Sequence, residues 1–94
     1  MATKKQVVQA WQSGHVASTP NRTFHTDGSS LYSYNLRIGY KEIELWIDGD
    51  GYEDIEFEIR IVLDYTSPHN FVSQTTSCHV GEARKVADRM EVPA

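Results

Sequence analysis

The chain has 94 residues, of which 39% are apolar, 11% aromatic and 23% charged. This length suits one domain over residues 1–94, and the apolar content excludes a disordered chain. The single cysteine excludes an internal disulfide and a cysteine-rich zinc site. No run approaches the roughly 20 apolar residues of a membrane span, and the first residues lack the apolar core of a secretory signal, so we expect a cytoplasmic protein without membrane contact.

The net charge of −4 conceals a strong local asymmetry. Between residues 42 and 58 the chain carries eight acidic residues and no basic one, whereas the remainder carries five acidic and nine basic residues. The eight are Glu42, Glu44, Asp48, Asp50, Glu53, Asp54, Glu56 and Glu58. A concentrated negative field favours a basic partner, a cation or open solvent, and it disfavours a phosphate backbone.

The first predicted element is a helix of about ten residues. Thr3 and Gln6 have the spacing of a capping box, and Gly14 suits a helix end. Residues 15–30 are rich in Ser, Thr, Asn, Gly and Pro, which predicts a loop around one short strand.

Two longer strand patterns follow. Large residues alternate with smaller or polar ones from 32 to 40, which predicts one continuous strand with all its large side chains on the core face. These side chains are Tyr32, Tyr34, Leu36, Ile38 and Tyr40. A hairpin with its turn at residues 48–51 comes next. Its outer, acidic face is expected to carry Glu44, Trp46, Glu56 and Glu58.

The C-terminal part predicts a short strand and a second helix. Phe71 and Val72 suit the strand, and Thr75, Thr76 or Ser77 offers a helix N-cap. The apolar positions of this helix are Val80, Ala83, Ala87 and Met90. The sequence thus predicts an α+β fold, an antiparallel sheet of three to four strands with an N-terminal and a C-terminal helix packed on one face.

Three stretches carry a resemblance to a known family. They are Leu31-Tyr32-Ser33-Tyr34-Asn35 with Ile38, then Tyr65, and then Ser73-Gln74-Thr75-Thr76-Ser77-Cys78-His79. The pattern resembles that of small uncharacterised proteins encoded by bacteriophages, and it covers most of the chain from Trp11 and Gly14 onward. The resemblance implies a phage accessory protein acting in an infected bacterial cell, and it implies no catalytic residue.

The acidic hairpin is the first candidate site. Spaced carboxylates can imitate nucleic-acid phosphates, and some phage inhibitors of restriction or CRISPR effectors work in this way. Together with Trp46 as an aromatic anchor, the eight acidic residues predict a surface that binds a basic partner protein. The phage resemblance implies that this partner is a host protein, for example a nucleic-acid-processing defence complex, and we expect no enzyme because the sequence brings no acid, base and nucleophile together. Direct nucleic-acid binding is not expected, since the basic residues are scattered and the tyrosines are assigned to the core. A solvated strand face is the plainer alternative.

The start of the second helix is the alternative site. Ser73, Thr75, Thr76, Ser77 and His79 bring hydroxyls and an imidazole to a helix N-terminus, where unpaired backbone N–H groups suit a phosphate or nucleotide. The same residues could simply cap the helix, and no glycine-rich phosphate loop is present.

Other polar groups predict no site. Asp48, Asp50, Glu53 and Asp54 could offer oxygen atoms to Ca²⁺, but they lack EF-hand spacing and suit a turn, so we expect neither a metal nor a cofactor. Adjacent helical residues point about 100° apart, so Cys78 and His79 are poorly placed to share a proton, and we expect a buried, inert cysteine.

Overall fold

Six strands and two helices make up the described part of the computed structural model, which covers residues 2–47, 54–66 and 70–93. The helices are α1 (Lys4–Ser13) and α2 (Gln74–Arg84). The strands are β1 (Ala17–Ser18), β2 (Phe24–Thr26), β3 (Leu31–Ser33), β4 (Leu36–Ile47), β5 (Asp54–Leu63) and β6 (Arg89–Glu91). They form one sheet in chain order, antiparallel except for the parallel β5–β6 pair. The α+β class is therefore confirmed, but the sheet is mixed and larger than the predicted three to four strands.

The additional strands come from both ends of the chain. Residues 15–30 contain two short strands, β1 and β2, where the sequence predicts one. The second helix ends at Arg84, so the predicted continuation to Met90 is wrong. Met90 lies on β6 opposite Val62 and packs against the core from there. Its spacing from Ala83 imitated a helix because both side chains reach one core from different elements.

The predicted continuous strand over residues 32–40 is interrupted by a turn. Tyr34 adopts a left-handed backbone conformation with φ 56°, and β3 and β4 meet there as a hairpin. A β-bulge follows, since Leu31 lies opposite Gly39 while Tyr32 lies opposite Arg37. Tyr34 consequently leaves the strand, and the prediction that five large side chains share the core face is wrong.

The core lies between the two helices and one face of the sheet. A capping box of Thr3 and Gln6 starts α1 as predicted, and Gly14 ends it with φ 76°. Trp11 is fully buried, and its indole Nε1 donates a hydrogen bond to the Ser29 carbonyl at 2.9 Å. A Cβ at Gly39 would lie 3.1 Å from the Trp11 ring, so this helix packs directly on the β4 backbone. The core cluster comprises Val7, Val8, Trp11, Phe24, Leu31, Ile38, Val62, Val80 and Ala83.

The long hairpin extends beyond the six-stranded part of the sheet. β3 pairs with β4 only as far as Gly39, and β6 pairs with β5 only over Ile61–Leu63. Residues 42–47 and 54–59 therefore pair only with each other within the described chain. We call this two-stranded segment the ribbon.

The strand register separates two faces. Cross-strand partners share a face, and Gly39 with Val62 lies on the face that the helices cover. The opposite face, which we call the open face, carries Tyr40 and Ile61 and continues toward the ribbon through Glu42, Glu44, Phe57 and Ile59.

Candidate functional site

The predicted acidic face is divided between the two sides of the ribbon. Glu44 lies opposite Phe57 on the open face, whereas Glu58 lies opposite Ile43 on the other face. Glu56 shares that second face, because it lies opposite Leu45. The prediction that Glu44, Glu56 and Glu58 form one acidic surface is therefore wrong. Period-two patterning shows which residues of one strand share a face, but the turn decides the register between strands, and a shift of one residue exchanges the faces.

Apolar side chains are exposed on both sides of the ribbon. Ile43 is 60% exposed on one face and Phe57 is 40% exposed on the other. Glu42, Glu56 and Glu58 are exposed beside them. The ribbon thus presents a mixed apolar and acidic surface, rather than one polar and one buried face.

Two of the predicted partner-binding glutamates already have basic partners. The Arg89 Nη2 atom lies 2.6 Å from Glu44 Oε1, and this contact raises the pKa of Arg89. Lys41 Nζ lies 3.2 Å from Glu58 Oε1 and donates a second hydrogen bond to the Gly28 carbonyl at 2.9 Å. Glu42 and Glu56 make no ion pair within residues 2–47, 54–66 and 70–93, so their charges remain available.

The remaining predicted partner-binding residues lie between or next to the two strands in the sequence. Asp48, Asp50 and Glu53 lie outside the described residues, and so do the side chains of Trp46 and Asp54, whose backbones belong to β4 and β5. Across the part of the chain that the structure describes, no three His, Cys, Asp or Glu side chains come together that could hold a metal ion.

The alternative site is largely built into the protein interior. Ser73 caps α2 by accepting a hydrogen bond from the Thr76 amide at 3.1 Å. The Ser73 hydroxyl donates to Thr76 Oγ1 at 3.1 Å, and Thr76 Oγ1 lies 2.9 Å from Ser33 Oγ. Ser33 Oγ lies 2.7 Å from His79 Nδ1, which completes a chain of four side chains. In the proton order that satisfies this chain, Ser33 donates to Nδ1 and the His79 proton sits on Nε2.

His79 is buried among aromatic and polar groups. Its ring stacks on Phe24 with centroids 4.4 Å apart and an angle of 8° between the planes. Burial, with a smaller contribution from the Lys4 charge, lowers the pKa of His79 to about 4. The distance to Ser33 would suit a nucleophile and its base, but neither residue has any solvent exposure. We therefore assign this pair to the core, where Nε2 and Ser77 Oγ are buried without a hydrogen-bond partner among the described residues.

A cavity beside α2 is lined by three residues of the predicted ligand site, Ser73, Thr75 and Thr76. It has a volume of about 590 Å³, and its walls include Tyr34, Leu36, Val72 and the exposed Thr75. Because the hydroxyls of Ser73 and Thr76 are used inside the protein, the predicted cluster of phosphate donors does not converge on this cavity.

Two smaller predictions about this region are wrong. Residues 71 and 72 form no strand in the structure, and both Phe71 and Val72 are exposed. Cys78 is also exposed, because α2 turns His79 toward the core and leaves its neighbour outside.

The open face carries a row of side chains that includes Tyr32, with Tyr40 beside it, and the sequence pattern assigns both of these tyrosines to the core. Ser18, His25, Tyr32 and Arg37 follow one another across β1, β2, β3 and β4 as register partners. His25 and Tyr32 stack with centroids 5.1 Å apart, and the Arg37 guanidinium lies 4.8 Å from the centre of the Tyr40 ring. The continuous alternation from 32 to 40 hides the turn at residues 34 and 35. Because of this turn and the bulge after it, Tyr32 and Tyr40 lie on the open face and Tyr34 leaves the strand.

No protein-family model, curated protein or solved structure matches this chain. The resemblance to bacteriophage proteins therefore stays a prediction. Neither helix in the described residues has the length and hydropathy that crossing a membrane requires.

Proposed function

We propose that this protein is a non-enzymatic binding protein whose ribbon engages a positively charged surface of a partner protein. The observation that carries the proposal is the exposure of Ile43 and Phe57 on opposite faces of a two-stranded extension, beside the exposed Glu42 and Glu56. A strand pair that only stabilised the fold would bury one of its faces.

The ribbon has the properties of an interface element. The ribbon is held to the rest of the fold near its base, by the buried Ile59 and the ion pairs of Glu44 and Glu58. An isolated strand pair is marginally stable in water, so exposing apolar side chains on both faces costs stability unless a partner covers them. Ile43 and Phe57 can enter apolar depressions of such a partner, with the glutamates as a charged rim.

Charge indicates the chemistry of the partner. Glu42 and Glu56 have no basic neighbour within hydrogen-bonding reach among the described residues, and the sequence adds Asp48, Asp50 and Glu53 between the strands. Such a surface attracts a basic one and accelerates its association at low salt. The resemblance to phage proteins favours a host protein as this partner, in particular a nucleic-acid-processing defence complex that carboxylates inhibit by occupying its phosphate-binding groove.

Paired variants test this proposal by affinity capture from bacterial lysate. The variant Glu42→Lys/Glu56→Lys keeps both partners of the Glu44 and Glu58 ion pairs in place, and it also reverses the field that Glu42 exerts at Arg89, so its circular dichroism is compared with that of the original chain. We expect a partner that the original chain retains at low salt, and releases at high salt, to be absent from this variant. Phe57→Ser should weaken the capture of the same partner without changing its dependence on salt.

Glu82→Lys is the matched control, since it reverses a half-buried charge on α2 away from the ribbon and breaks the ion pair of Glu82 with Lys85. Retention of the partner by Glu82→Lys and its loss from the ribbon variant would support the proposal. Equal retention by both variants, with unchanged circular dichroism, would place the interface elsewhere.

No observation favours the small-ligand alternative as a separate function. Of its five predicted residues, Ser73, Thr76 and His79 are joined in the buried chain of hydrogen bonds that leads through Ser33.

A further inference from the structure

A second cavity lies at the end of the sheet away from the ribbon. Its volume is about 450 Å³, within the range of ligand sites, and it is lined by Asn21, Arg22, His25, Tyr34 and Asn35. All five side chains end in a planar group, and none is a carboxylate. Two amides, a guanidinium and two rings are the groups that hydrogen-bond base edges, bind phosphate and stack on bases.

The backbone holds two of these residues in an unusual conformation. Arg22 and Tyr34 are the non-glycine residues with positive φ in the described chain, at 55° and 56°. A left-handed conformation is unfavourable for large side chains, and such strain is concentrated at functional sites. Both strained residues line this same cavity.

His25 connects the cavity to the open face. Its Nδ1 atom lies 3.0 Å from the Arg22 carbonyl, and its ring stacks on Tyr32. Beyond His25 in the same row stands Ser18, a small residue whose hydroxyl donates to the Thr19 carbonyl. The row of rings therefore ends at His25, with only a small side chain following it.

Charge at the cavity is opposite to that of the ribbon, because its lining carries the Arg22 guanidinium and no carboxylate. Arg37 follows on the adjoining row as the register partner of Tyr32. Arg22 and Arg37 form no ion pair with any carboxylate in the described residues. Both guanidinium groups are therefore available to phosphate oxygens.

We propose that the cavity and the adjoining row His25, Tyr32 and Arg37 bind single-stranded nucleic acid. One base enters the cavity beside His25 and Tyr34, where the amides of Asn21 and Asn35 meet its edge. Arg22 binds the phosphate of that nucleotide, and Arg37 binds a phosphate further along the open face. The sequence pattern alone predicts no such site, because it assigns Tyr32 and Tyr34 to the core.

Fluorescence anisotropy with a labelled single-stranded oligonucleotide tests this site. An oligonucleotide of about 12 nucleotides is long enough to span one binding groove. The probes are oligo(dT), its RNA counterpart and a duplex of the same length, each titrated with the full chain at low salt. The variant Arg22→Gly/Tyr34→Gly removes two cavity side chains and relieves their positive φ, and its circular dichroism spectrum must match that of the original chain for a loss of binding to count. We expect its affinity for the single strand to fall about tenfold or more.

Lys5→Ala is the control, because it removes one exposed positive charge on α1, outside this cavity. Its affinity should stay within about twofold of the original, since a single distant charge contributes only through the screened field. The original chain should prefer the single strand over the duplex. Absence of binding to any probe, or an equal loss in Lys5→Ala, would overturn the proposal.

The same surface could instead receive the acidic ribbon of another copy of this chain. Sedimentation velocity distinguishes the two occupants. A concentration-dependent increase in mass that Arg22→Gly/Tyr34→Gly abolishes, without oligonucleotide binding, would assign the surface to self-association and overturn the nucleic-acid site. The ribbon takes no part in the proposed binding of the oligonucleotide. The Glu42→Lys/Glu56→Lys variant should therefore bind the oligonucleotide at least as tightly as the original chain. Failure of the partner-binding proposal thus leaves this result unaffected.

Discussion

Tyr40 donates a hydrogen bond from its hydroxyl to Glu91 Oε2 at 2.9 Å, from β4 to β6 across the intervening strand β5. In the register, Ile61 of β5 lies between Tyr40 and Arg89. Ile61 has no exposed surface although it faces away from the helices. The Tyr40–Glu91 bond and the Arg89–Glu44 ion pair both cross β5 here, so polar side chains cover an apolar strand position.

Removing the Tyr40 hydroxyl should show how much its hydrogen bond to Glu91 contributes to the stability of the fold. Tyr40→Phe keeps the ring but leaves Glu91 without its donor, and we expect the free energy of unfolding to fall by about 1 kcal/mol. Urea denaturation of the two proteins gives the difference. Tyr32→Phe is the control, since the Tyr32 hydroxyl has no hydrogen bond to the described residues, and it should change stability by less than about 0.5 kcal/mol. Equal effects of the two substitutions would contradict the role of the Glu91 contact.

His79 should make the stability of the protein depend on pH in mildly acidic solution. Burial lowers its folded pKa from 6.5 to about 4, so between these values the unfolded chain binds a proton that the folded chain does not. Stability from this group is complete above pH 6.5 and decreases as the pH falls, by about 3 kcal/mol in total at pH 4. The depressed pKa values of Asp27 and Asp64 add to this loss as the pH approaches 3.8, the ordinary pKa of an aspartate carboxyl, and they leave the range from pH 6.5 to pH 5 to His79.

Thermal or urea unfolding between pH 7 and pH 4 measures this dependence. In His79→Gln the slope of the unfolding free energy against pH, between pH 6.5 and pH 4, should correspond to one proton fewer taken up on unfolding. His15 is exposed, so His15→Gln serves as the control. A slope that is the same in His79→Gln and in the original chain would show that the imidazole is not buried in its neutral form.

Local patterns predicted the elements whose residues interact with near neighbours. The Thr3–Gln6 capping box and the alternation over residues 43–47 and 55–63 are read within a few residues, and the helix start and the hairpin pairing formed as expected, although β4 also takes in residues 36–40 of the strand predicted before it. The relations between elements were missed. The left-handed Tyr34 turn, the register that separates Glu44 from Glu58, and the parallel pairing of Met90 with Val62 all depend on distant contacts.

The candidate sites show the same division. The acidic segment was recognisable from composition alone, but which acids remain unpaired depends on Arg89 and Lys41, which approach from other elements. The sequence places His79 at a helix start, but its burial follows from Ser33 and Phe24, more than 40 residues earlier.

Gly28 should be irreplaceable, whereas Gly81 should tolerate a side chain. Gly28 has φ 99°, and a Cβ there would lie 2.8 Å from the Gly14 carbonyl oxygen, where two backbone segments meet. We expect Gly28→Ala to destabilise the fold by more than about 1 kcal/mol, since the strain and the clash add. A Cβ at Gly81 meets nothing within 4 Å on the exposed side of α2, so Gly81→Ala should stabilise the helix by about 0.5–1 kcal/mol. Urea denaturation measures the change in the free energy of unfolding for each variant. The two changes have opposite signs if Gly28 packs against Gly14 as described, and two changes of the same sign would contradict this packing.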